Sequence, residues 1–176
     1  SKLRVLDPAC GSGSFLLGAY QFLLDWHLKW YVEHEPSKRK KVLYKSTAGA
    51  WKLTIDERKR ILKANVFGVD IDRQAVEVTK LSLLLKVLED ETGDALRRQY
   101  ELFRERALPD LGANIQCGNS LIGTEFLSKA GAGLTDEQLW EVNVFDWKNR
   151  FPKIFKDGGF SAIVGNPPYV NAWTLF

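Results

Sequence analysis

A chain of 176 residues, 45% hydrophobic and 27% charged, is long enough for one buried core and too mixed in composition for a disordered tail. No apolar run reaches the roughly 20 residues a membrane helix needs, no basic-then-apolar leader opens the chain, and two cysteines cannot make a disulfide framework or a cysteine zinc site, so a reducing, cytoplasmic setting is expected. The net charge of +3 is unevenly spread: residues 37–65 hold ten Lys or Arg against Asp56 and Glu57, a balance of +8, which leaves −5 from the fifteen bases and twenty acids elsewhere. That basic stretch fits either an electrostatic partner such as a phosphate backbone or a solvated surface insertion.

In chain order, residues 3–6 form a short apolar strand running into Asp7-Pro8 and a glycine turn. Ser14 is placed to cap a helix whose Phe15, Ala19, Phe22, Leu23, Trp26 and Trp30 recur at three- and four-residue steps and so predict one apolar face. Pro36 and the basic stretch end it, and residues 56–63 suit a short basic helix. Residues 65–70 read as a second buried strand. A helix over 73–88 follows, with Val76, Thr79, Leu83 and Val87 on one face and Asp72 as its cap. Gly93 breaks that helix, and 95–107 predicts another before Pro109. A third strand is expected at 113–117, helices at 135–140 and 145–155, and a fourth strand at 160–164 that runs into Asn166-Pro-Pro-Tyr169. This alternation predicts a single α/β domain over 1–176, its mainly parallel sheet flanked by helices, with 33–64 and 92–112 as insertions. His27 and His34 fall in or just after the first helix and read as packing or surface residues.

Each informative cluster lies just after a predicted strand. Ligands of such sheets bind outside the carboxyl ends of the strands, where strand order reverses, so four segments are expected to converge on one cleft. The first is Asp7-Pro8-Ala9-Cys10-Gly11-Ser12-Gly13-Ser14-Phe15. Gly11 and Gly13 permit a tight turn and close approach of a ligand to the backbone. The string lacks the third glycine of a dinucleotide fingerprint and the Lys-Ser/Thr of a phosphate loop. The second is Gly68-Val69-Asp70-Ile71-Asp72, where an acid after a strand suits either a cap or a ligand contact: as the latter, Asp70 is placed to accept hydrogen bonds from two ribose hydroxyls and Ile71 to pack on an adenine ring. The third is Gln116-Cys117-Gly118-Asn119-Ser120, in which Asn119 suits either a turn or an acceptor role. In the fourth, two prolines fix the backbone and leave carbonyls without local partners. The Asn166 side-chain oxygen and the Pro167 carbonyl suit the two N–H donors of an exocyclic amine. Pro168 stiffens the turn, and Tyr169 offers a flat face to a base.

Together these strings resemble the N6-adenine DNA methyltransferases. The stretch from Phe145 to Phe160 is especially similar to the single-chain restriction–methylation enzymes of type IIG. The resemblance implies a Rossmann-like S-adenosylmethionine-dependent methyltransferase fold of bacterial or archaeal cytoplasm, present here as a fragment. In it, residues 7–15 wrap the methionine part of S-adenosylmethionine and Asp7 helps hold the ammonium end. Asn119, with Ser120, meets the cofactor's adenine, where many relatives have Asp. Asn166, Pro167, Pro168 and Tyr169 act on an adenine flipped out of duplex DNA. No metal is implied. Partners would be the duplex and the remaining segments of a parent polypeptide, including a target-recognition domain. Two rival readings stay open at this point: a protein-glutamine methyltransferase using the same Asn-Pro-Pro-Tyr chemistry, and a non-catalytic cofactor- or DNA-binding module.

Overall fold

The computed structural model describes residues 3–34, 36–46, 48–89, 109–130 and 135–166. The chain runs β1 (Val5–Asp7), α1 (Ser14–Glu33), a 3-10 turn (Pro36–Lys38), β2 (Leu43–Lys45), β3 (Trp51–Leu53), α2 (Ile55–Asn65) and β4 (Val66–Asp70). It continues through α3 (Arg73–Leu88), β5 (Ile115–Cys117), α4 (Glu125–Ala130), α5 (Asp136–Val142), α6 (Trp147–Arg150), α7 (Pro152–Lys156) and β6 (Ala162–Ile163).

Strands β1, β4, β5 and β6 form one parallel sheet in the order β5-β4-β1-β6. In β1, β4 and β5 the Val, Leu, Ile and Phe side chains are buried on both faces, as a parallel sheet requires, whereas Ile163 of the edge strand β6 is exposed. Alternation along the strands divides the core. Val66 and Ile115 join the cluster under α1, α2 and α3, while Leu6, Phe67 and Val69 pack with Phe145, Phe151 and Ile154 on the other side. The expected α/β architecture with a parallel sheet is therefore the observed one.

The first helix differs from expectation at two points. Its N-cap is Gly13, in a left-handed conformation (φ 87°), and no side chain caps the first turn, so Ser14 does not play that role. Its buried face is Leu16, Tyr20, Leu23, Leu24 and His27. Of the predicted face only Leu23 is buried, and Phe15, Phe22, Trp26 and Trp30 are exposed. The sequence carries two stripes at helical spacing, and the heavier aromatic one faces outward. Tyr20 tolerates burial because its hydroxyl donates to the Arg58 carbonyl at 3.0 Å. His27 is buried and His34 exposed.

Helix α3 follows its pattern closely. Val76, Thr79, Leu83 and Val87 are its buried residues, and the Asp72 carboxylate accepts from Gln74 N at 2.7 Å as the N-cap. The basic stretch contains structure the pattern does not show, the 3-10 turn and an antiparallel β2–β3 hairpin. The predicted helix over 145–155 is two short ones. Asp146 caps α6, Phe151 lies between them, and Pro152 opens α7, where its missing N–H costs nothing. The fourth strand is shorter than 160–164, and the predicted helix over 95–107 lies outside the described residues. Among the described residues no helix is long and apolar enough to cross a membrane.

The two stripes of α1 are separable by mutation. Leu16→Ala, at a fully buried site, should cost about 2–5 kcal/mol in urea unfolding. Phe22→Ala, at a site 67% exposed, should stay within about 0.5 kcal/mol.

Candidate functional site

The carboxyl ends of the parallel strands bring the predicted clusters together. Asp7 ends β1, Asp70 ends β4, Cys117 ends β5, and Gly165-Asn166 follow β6. Strand order reverses at β1, since the chain moves outward through β4 and β5 and then returns to its other side with β6. This is the crevice where such sheets bind ligands.

The glycine loop spans β1 and α1 and is fixed by backbone bonds. Cys10 N donates to Val69 O at 3.0 Å, and Gly13 N to Cys10 O at 2.8 Å. Gly11 N donates to Asp70 Oδ2 at 2.7 Å, while the Gly11 carbonyl accepts from Thr79 Oγ1 at 2.7 Å. Both glycines have positive φ, 51° at Gly11 and 87° at Gly13. A Cβ on Gly13 would lie 2.9 Å from Thr79, so α3 closes against the loop there. A Cβ on Gly11 would meet nothing within 4 Å. The loop is thus backed by protein at Gly13 and open at Gly11, a cradle a larger side chain would fill. With the uncapped first turn of α1 beside it, the cradle fits a small ligand carrying acceptor groups.

Asp7 is buried, and its Oδ1 accepts from Ala9 N at 3.1 Å. Burial pushes its carboxyl above the usual range. The bond from Ala9 opposes that shift, and the nearby Asp70 charge adds to it. A Cβ on Gly165 would stand 2.8 Å from Asp7 Oδ1, so the turn that precedes Asn166 packs directly on this carboxylate. Asp70 accepts from Gly11 N through Oδ2 and from Asp72 N through Oδ1, at 2.7 and 2.9 Å. Each oxygen keeps a lone pair for a further donor. Ile71 beside it is half-exposed.

The remaining predicted residues divide between cleft and core. Pro8 and Ala9 are partly exposed in the turn, and Phe15 is exposed on the first turn of α1. Cys10 is buried against Gly68 with its thiol pushed up to about 12, first by burial and then by the charges of Asp70 and Asp7. Its side chain belongs to the core and only its backbone to the loop. Asn119 Oδ1 accepts from Leu121 N at 3.1 Å, a local turn, while its own N donates to Asn143 O at 2.7 Å. Ser120 accepts from Trp147 Nε1 at 3.2 Å through its carbonyl. Asn166 is exposed at the end of the described segment, and Pro167, Pro168 and Tyr169 lie outside it. Thr79 and Gly165 touch this site without having been read as part of it. A hydroxyl within an otherwise aliphatic helix face was the available signal for Thr79. Among the described residues no group of three or more His, Cys, Asp or Glu is placed to hold a metal.

The family described as Eco57I restriction-modification methylase matches residues 64–175. The chain is 33% identical over 167 residues to "Type II restriction enzyme and methyltransferase RM.Eco57I" of Escherichia coli, covering 95% of this chain and 14% of that protein. It is 38% identical over 123 residues to "Putative type II restriction enzyme and methyltransferase RM.MjaORFECS2P" of Methanocaldococcus jannaschii, covering 69% and 9%. With "Adenine-specific methyltransferase PglX" of Streptomyces coelicolor it shares 25% identity over 174 residues, covering 96% and 12%. The chain therefore spans 9–14% of the length of these relatives.

The raised Asp7 carboxyl has a testable consequence. A carboxyl that holds its proton more tightly when folded lets stability fall as pH rises from its ordinary value of 3.8 through the raised one, after which the loss is constant. Asp7→Asn keeps an acceptor for Ala9 N but cannot ionise. Its urea midpoint should exceed that of the unsubstituted protein at pH 7, and the difference should vanish below pH 3.8.

Proposed function

The chain belongs to the Eco57I restriction-modification methylase family, and from that premise we propose that its cleft serves methyl transfer from S-adenosylmethionine to the N6 amino group of adenine in DNA, within a restriction–modification or phage-defence enzyme. The observation that carries the proposal is the packing of Gly165 on Asp7. It sets the turn bearing Asn166 against the strand that leads into the glycine loop. A methyl donor and an amine acceptor need such neighbouring seats.

When bound, S-adenosylmethionine supplies a methyl group made electrophilic by a sulfonium, so the chain's own task is mainly positioning. Residues 7–13 and the uncapped start of α1 would hold the methionine end, with Asp7 towards the ammonium. Asp70 would take the ribose hydroxyls through its remaining lone pairs, and Ile71 would cover the purine. Asn119 and Ser120 would border the adenine.

On the acceptor side, an adenine turned out of the duplex costs a few kcal/mol of stacking and pairing. Tyr169 would recover part of that by stacking, at about 1–3 kcal/mol. The Asn166 side-chain oxygen and the Pro167 carbonyl would accept the two N–H groups of N6, and Pro168 would hold that turn rigid. Both bonds favour a nitrogen whose lone pair is free of the ring. The surplus proton then passes to solvent. The relatives' names speak for adenine over glutamine as acceptor.

The test is transfer of labelled methyl groups to unmethylated duplex DNA, with a glutamine-bearing protein substrate alongside. Asn166→Ala should lower kcat on DNA by about 10²-fold or more, the scale of losing one transition-state hydrogen bond. Calorimetric affinity for S-adenosylmethionine should be unchanged. Label in the protein substrate and not in DNA, or full activity of the variant, would overturn the assignment.

A further inference from the structure

The polar groups of Gly11 are both taken up by side chains from distant parts of the chain. Its N–H donates to Asp70 Oδ2 at the end of β4, and its carbonyl accepts from Thr79 Oγ1 in the middle of α3, each at 2.7 Å. Thr79 is fully buried. Its three companions on the buried face of α3 are Val76, Leu83 and Val87. A valine would fill the same volume, so packing alone does not account for a hydroxyl at this place.

The surroundings point the same way. Thr79 Oγ1 and Cγ2 each stand 2.9 Å from where a Cβ of Gly13 would lie. The residue therefore meets the loop at Gly13 by contact and at Gly11 by a hydrogen bond. Gly11, with φ 51° and open space on its far side, has more backbone freedom than any other residue type would have there. With only its N–H tied, the peptide following Gly11 could rotate and turn its carbonyl into the cradle. With the carbonyl tied as well, that rotation is blocked.

We propose that Thr79 is a positioning residue for the cofactor loop, its hydroxyl holding the Gly11 carbonyl so that the loop stands in its binding shape before the cofactor arrives. The proposal rests on the cofactor reading given under Proposed function. Thr79 touches no substrate and takes no part in chemistry. It acts by removing alternative loop conformations that binding would otherwise have to order.

Two substitutions separate this role from simple packing. Thr79→Val keeps the shape and loses the hydroxyl, whereas Thr79→Ser keeps the hydroxyl and loses a buried methyl. The Val variant should bind S-adenosylmethionine and S-adenosylhomocysteine about tenfold more weakly, the scale of one hydrogen bond. Its KM for the cofactor should rise with kcat little changed, the pattern of lost uniform binding. Amide hydrogen exchange at Gly11 and Gly13, measured without cofactor, should be faster. The Ser variant should melt at lower temperature yet keep both the affinity and the slow exchange. The proposal is overturned if the Val variant matches the unsubstituted protein in affinity and exchange, or if both variants lose affinity in step with melting temperature. Should the unsubstituted protein bind neither cofactor, the functional reading falls. The exchange data then decide Thr79 alone: faster exchange in the Val variant supports its hold on the loop, and unchanged exchange removes it.

Discussion

The cleft depends on one piece of backbone pairing, the seating of β1 between β4 and β6 with all three parallel. Asp7 pairs with Gly68, so β4 runs two residues past the end of β1 and carries Asp70 up beside the glycine loop. On the other side Leu6 pairs with Ile163, which brings Gly165 level with the Asp7 carboxylate. A register slip of one residue would turn Leu6, Phe67 and Val69 away from the core they share with Phe151 and Ile154. The apolar alternation that holds the sheet together is thus the same feature that aims three segments at one place.

That placement carries an electrostatic cost. Asp7 feels the charge of Asp70, and among the described residues neither has a Lys or Arg partner. Their support comes from peptide N–H groups, at Ala9 for Asp7 and at Gly11 and Asp72 for Asp70. Carboxylates held by peptide N–H groups in place of a cation depart from a plain apolar core, and local departures of this kind cluster where a protein has work to do. Under the proposed function, the ammonium and sulfonium of the methyl donor would bring positive charge to this pair. The loop offers such a ligand the open side of Gly11.

Much of this was legible in the sequence because strand ends and turn chemistry are local. Asp7-Pro8, the glycine pair and the acid at position 70 declare themselves through spacing, and Asp72 caps α3 as its place before the helix requires. The face of α1 was not legible. Residues 15, 19, 22, 26 and 30 satisfy helical periodicity as well as 16, 20, 23, 24 and 27 do, and hydrophobicity favours the first set. The choice is made by tertiary partners: a backbone carbonyl for Tyr20, and a close approach of Leu16 to Gly68 that a Cβ at 68 would block at 2.7 Å. Thr79 was legible as a core position but not as a loop contact, because Gly11 lies 68 residues away. The β2–β3 hairpin was missed because three-residue strands carry too little alternation to register.

The basic stretch illustrates the same limit for charge. Counted along the chain it fits either a polyanionic partner or a solvated surface insertion, and the structure shows what several of its cations touch. Many of its cations are already engaged. Arg39 lies over Trp30 at 4.6 Å and donates to the His34 carbonyl, and Lys45 lies over Trp51 at 5.0 Å. Arg58 donates to the Val87 and Glu89 carbonyls, completing the C-terminal turn of α3. Arg60 makes two bonds to the buried Glu57, whose other partner is the Tyr31 hydroxyl. These contacts tie the ends of α1 and α3 to α2. Net charge in a window of sequence becomes a binding surface only where the side chains remain free and face the ligand, and here contacts within the fold already engage Arg39, Lys45, Arg58 and Arg60.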